Sequence, residues 1–109
     1  MTEPTYDAVL RRLESLADRL RVVGPRLAAR EGEAARQLLL QIRAGLQRLA
    51  DLAAEADDEP RRVVPELAPH ALADQALVLG HDLLGGPGQR SGVVLTAAMQ
   101  TLEDVNKLV

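Results

Sequence analysis

The chain has 109 residues, 47% of them apolar and 27% charged, with a net charge of −3. That length supports one modest hydrophobic core rather than two, and the composition excludes a disordered tail. The absence of cysteine excludes disulfides and thiolate chemistry and leads to the expectation of a cytoplasmic protein.

The apolar residues are mostly Leu, Ala and Val, and Tyr6 is the only aromatic. Leu and Ala favour helices, and the aromatic and Ile/Thr-rich vocabulary of strands is missing. An all-α fold is expected, an antiparallel bundle of four helices, or five if Gly24-Pro25 splits the first. No run approaches the roughly 18 uninterrupted apolar residues of a membrane span. Met1-Thr2-Glu3-Pro4 carries neither the basic nor the apolar region of a secretory signal. Twelve of the thirteen basic residues are Arg, the usage expected of a GC-rich bacterial genome.

A first helix is predicted from about Thr5, with Pro4 beside its start and Asp7 in its first turn. Tyr6, Val9, Leu13, Leu16, Leu20, Val23 and Leu27 recur at alternating spacings of three and four, and Leu10 and Ala17 widen the seam. Gly24-Pro25 is a stop signal, yet the seam stays in phase through Leu27, so a kinked continuation to Arg30 is equally compatible; an interrupted first helix is favoured, with the reversal completed near Gly32. A second helix is predicted over about 33–56, with Ala35, Leu38, Ile42, Leu49, Leu52 and Ala56 on its seam. Its acidic end, Glu55 to Glu59, opposes the helix dipole and should fray.

A charged, proline-closed linker is predicted over about 57–65, separating a long hairpin (about 5–58) from a second helical pair (about 66–108) within a single domain, 1–109. The third helix should start at Pro65 or Pro69 and end at Leu84, with apolar residues on more than one face. A Gly-rich break at 85–92 precedes the last helix, about 91–108. Charge divides the chain unevenly: nine Arg face four carboxylates between Arg11 and Arg48, whereas Arg90 and Lys107 face five from Val63 onward.

Three constellations bear on function. His70, Asp74 and His81 fall within about 40° of one another on the predicted third helix, where an Asp one turn from a His can orient it for ligand or metal binding. His70 and His81 stand roughly 16 Å apart along that helix, too far to share one ion, and solvated or packed histidines are the simpler reading. Gly86, Gly88, Arg90 and Ser91 form a glycine-rich turn before a helix, where amides and the helix dipole can hold an anion. The turn does not match a P-loop, and a plain connection between helices is the simpler reading. The arginines of the first half raise nucleic-acid binding, but net acidity and the missing aromatic stacking platform argue for solvated helix edges instead. No nucleophile is paired with a base in sequence.

The apolar surface of the second half is what remains. Leu72, Leu79, Leu83, Val94, Leu102 and Val105 are the candidate residues of a helix-on-helix interface. The expected function is a non-catalytic interaction or scaffolding module, homo-oligomeric and without a cofactor, two-fold dimers being the commonest oligomers. A ligand- or metal-binding bundle and a nucleic-acid accessory protein are the alternatives.

Overall fold

The computed structural model describes residues 3–109, and its helices are α1 (Tyr6–Ala29), α2 (Glu33–Ala56), α3 (Leu72–Leu84) and α4 (Gly92–Asn106). A 3₁₀ turn, Pro69–Ala71, leads into α3, and no strand occurs among the described residues. The four helices make a four-helix bundle.

Local chemistry sets most of the ends. Thr5 caps α1 by accepting from the amide of Ala8 at 3.1 Å, and Ser91 caps α4 by accepting from Val94 at 3.3 Å. α2 closes with Asp58 in the left-handed region (φ 52°), while the Glu59 amide donates to the Ala54 carbonyl at 2.8 Å and the Asp58 amide to Glu55 at 3.3 Å. Those paired bonds satisfy carbonyls of the last turn. α2 is helical to Ala56, and a distant arginine, Arg90, bonds Asp57 at its end.

α1 runs unbroken through Gly24 and Pro25, so there are four α-helices among the described residues and not five. Gly24 is not a stop. It is buried against the backbone of Pro69, whose carbonyl stands where a Cβ would be. Glycine therefore serves close packing of α1 on the 3₁₀ turn. Pro25 is exposed within α1, where its missing N–H and its ring weaken the helix without ending it.

The packing order differs from the chain order. α1 and α2 each lie against both α3 and α4, and scarcely touch one another. The long hairpin expected over about 5–58 is thus continuous in sequence but is not a packed pair. Gly24 meets Pro69 and Gly80 meets Leu13, so α3 runs antiparallel to α1. Gly45 meets Val105, and Arg90, just before α4, meets Asp57 at the end of α2, so α4 runs antiparallel to α2. α3 keeps the direction of α2 because residues 57–68 return along α2 as an extended strap before α3 begins.

Side chains of the helices hold that strap. Gln47 donates to the Arg62 carbonyl at 2.8 Å and accepts from the Val64 amide at 2.9 Å, acting as a short piece of strand partner. Arg43 donates to the Leu67 carbonyl, and Gln75 donates to the Pro65 carbonyl at 2.8 Å. The core is nearly all aliphatic, with Val9, Leu13, Leu16, Leu20, Ile42, Leu46, Leu49, Leu72, Leu83, Leu84, Leu102 and Val105 fully buried. At roughly 25 cal/mol per Å² of apolar surface removed from water, this aliphatic burial is the main stabilising term.

Candidate functional site

His70 lies in the 3₁₀ turn and not on α3, which breaks the shared helical face expected for it with Asp74 and His81. All three side chains are exposed. Asp74 and His81 remain on α3 seven residues apart, about 10 Å along the axis at 1.5 Å per residue. Among the described residues, no group of three or more His, Asp or Glu converges as metal ligands would.

The glycine-rich turn is engaged with its own chain. The Arg90 side chain is only 6% exposed and forms a two-pronged ion pair with Asp57, at 2.5 and 3.0 Å. It also donates to the carbonyls of Leu83 at 2.7 Å and Asp82 at 3.2 Å, closing the end of α3. Hydrogen bonding from Arg90 holds the Asp57 carboxyl below its ordinary value, and the same contact raises the guanidinium. The Gly86 amide donates to Gln89 Oε1 at 2.8 Å, and Ser91 is the N-cap of α4. Gly88 supplies a positive φ of 79° for the turn. Arg90 thus locks a corner in which the ends of α2 and α3 meet the start of α4.

The interface candidates divide in two. Leu72, Leu83, Leu102 and Val105 are buried in the protomer core, at 0–2% exposure, so their surface is used within one chain. This corrects the expectation that they face a partner: α3 and α4 are each wrapped by both α1 and α2, which a helical seam alone does not reveal. Leu79 and Val94 stay partly exposed.

Apart from Val22 of α1 and Val93 of α4, the large aliphatic side chains that face solvent lie on or beside the strap, of which sequence reasoning treated 57–65 as a linker and the rest as the start of the third helix. Val63 is 89% exposed, Leu67 46% and, on the adjoining turn of α3, Val78 69%. Val64, Pro65, Leu67, Ala71, Val78 and Leu79 line an open cleft of about 400 Å³ between strap and α3, with Asp74 and Gln75 at its edge. Leu40 of α2 and Val63 extend the surface past the other side of the strap. The signal available in sequence was the cluster Val63-Val64-Pro65-Glu66-Leu67, too apolar for a solvated linker and too proline-rich for a helix.

Two further grooves are more polar. One, between α2 and α4, is floored by Gly45, Ala97 and Val105 and edged by Gln41, Arg48 and Asp104. The other lies under the strap beside Ala50, Ala53 and Ala54, with Asp57, Glu59 and Asp82 at its end. No described helix is long and apolar enough to cross a membrane. Comparison with protein-family models, with curated proteins and with solved structures finds no match for this chain.

Proposed function

We propose that the protein is a non-catalytic helical interaction module that self-associates, and that it does so through the face where the strap crosses α3. The supporting observation is that exposed Leu67 and Val78 line an apolar cleft, with exposed Val63 beside it on the strap. Single exposed aliphatics are ordinary, but a contiguous set bordering a preformed groove is the usual mark of a contact surface. Arg90, the strongest anion-binding candidate, is occupied within the chain, and the exposed histidines join no metal-ligand cluster among the described residues.

Light scattering coupled to size exclusion tests the reading. Wild-type protein at tens of micromolar should exceed the monomer mass. Val78→Asp and Val63→Asp should each return it to monomer while leaving the circular-dichroism melt at low protein concentration unchanged, since both positions are exposed. Undiminished association in both variants, or a strictly monomeric wild type, overturns the proposal.

A further inference from the structure

Resting on that reading, we propose that the strap–α3 cleft is occupied by the outer ridge of α1 from a second copy, so that copies join head to tail. The first support is charge. Asp74 lines the cleft and Glu66 stands on the strap between two of its lining residues, Pro65 and Leu67, both carboxylates being exposed and without an ion-pair partner among the described residues. Two such faces brought together about a two-fold axis place like carboxylates in one interface, a costly arrangement. The face calls for a cationic partner with an apolar projection.

α1 carries that pattern on its outward side. Val22 is 53% exposed, a conspicuous aliphatic on a face otherwise polar. Arg26 stands one turn beyond it, and Arg11 and Arg30 are exposed toward the two ends of the helix. None of these three arginines has a carboxylate within ion-pair distance among the described residues, whereas Arg21 is paired with Asp18 and Arg36 with Glu33. Ser15 and Ala29, exposed on the same side, are short, so a ridge centred on Val22 can approach a groove closely.

Position completes the case. The strap covers α2 and α3, and α1 lies diagonally from α2, so the ridge and the cleft occupy different sides of one molecule. Both surfaces are available at once. A contact between two different patches is heterologous and propagates into rings or open chains, where an isologous contact stops at a dimer. The arrangement suits a scaffolding module.

Complementation in sedimentation velocity reads this out. Val22→Asp, in the ridge, and Val78→Asp, in the cleft, should each be monomeric alone. Mixed in equal amounts they retain one intact ridge and one intact cleft, and should form a 1:1 dimer and nothing larger, while wild type grows with concentration. Arg26→Glu is the second ridge variant and should weaken association, as should raising salt from about 50 to 500 mM, by on the order of tenfold. If Val78→Asp is monomeric while Val22→Asp and Arg26→Glu associate as wild type does, the cleft is an interface but its occupant is not α1. If wild type is monomeric throughout, the self-association reading falls with it.

Discussion

Arg90 and Asp57 lie thirty-three residues apart and meet in a two-pronged ion pair that ties the end of α2 to the corner between α3 and α4. The same guanidinium closes α3 through the carbonyls of Leu83 and Asp82. One side chain thus joins the first half of the chain to the second. Arg90→Ala removes the pair and leaves the part-buried Leu83 carbonyl without this donor, so it should destabilise by about 2 kcal/mol in urea unfolding. Arg90→Lys should rescue little, because an ammonium cannot make both prongs and the two carbonyl bonds together. Equal stability of wild type and Arg90→Ala would remove this role.

The pH dependence of that corner has a definite sign. Hydrogen bonding from Arg90 depresses the Asp57 carboxyl in the folded state. A depressed carboxyl contributes stability that is present above its unfolded value and lost as pH falls through the folded one. Stability should therefore decline below about pH 4. Asp57→Asn should show a shallower decline than wild type, with the two converging at low pH. Parallel denaturation midpoints for both proteins across that range would contradict the assignment.

Gly24 and Pro25 make opposite demands on α1. In an open helix Gly→Ala stabilises by up to about 1 kcal/mol. At Gly24 the new methyl meets the carbonyl of Pro69, a backbone atom that can yield only if the 3₁₀ turn moves. Gly24→Ala should lower Tm, at a cost of about 1–3 kcal/mol typical of overpacking. Pro25→Ala, at an exposed position, restores the N–H to a continuous helix and should raise Tm. Were the pair a true helix break, Pro25→Ala would give no such gain.

Those adjacent residues also show where sequence reading stops. Periodicity made the seams of α1 and α2 legible, and Val9, Leu13, Leu16, Leu20, Ile42 and Leu49 are indeed buried. Each seam reports only that a face is covered. It does not report by which helix, so the diagonal placement of α1 and α2 stayed hidden. Gly-Pro reads as punctuation by local rules, whereas Gly24 answers to Pro69, forty-five residues away. Likewise Arg90 reads as a free cation in a glycine-rich turn until Asp57 is brought to it. Ser91 and Thr5, whose capping partners are three residues off, are local features open to sequence reading.

Gln47 controls whether the strap stays on the bundle. Its amide bonds on both sides to the strap backbone, to Arg62 and Val64, and also donates to Asp51 at 2.9 Å. Gln47→Ala removes three hydrogen bonds and should cost about 1–3 kcal/mol. The local effect should be larger than the global one. Trypsin should cleave after Arg61 and Arg62 much faster in the variant, and the Val64 amide should exchange faster, while α1 amides keep most of their protection. If cleavage at these arginines is unchanged, the strap is held by its apolar contacts and not by Gln47.

The strap's valines and the leucines of α3 separate surface from core in one measurement. Leu72 is fully buried where the 3₁₀ turn becomes α3, and truncation to Ala should cost about 2–5 kcal/mol through lost burial and the cavity left behind. Val78, six residues on and 69% exposed, loses little packing when cut to Ala and should stay within about 0.5 kcal/mol of wild type. Both unfolding experiments belong at low protein concentration, where association does not add to apparent stability. At high concentration the order should change for one variant only. Val78→Ala should then melt below wild type, because the wild type gains stability from assembly and the variant gains less. A Val78→Ala melt that tracks wild type at every concentration would place that valine outside the contact surface.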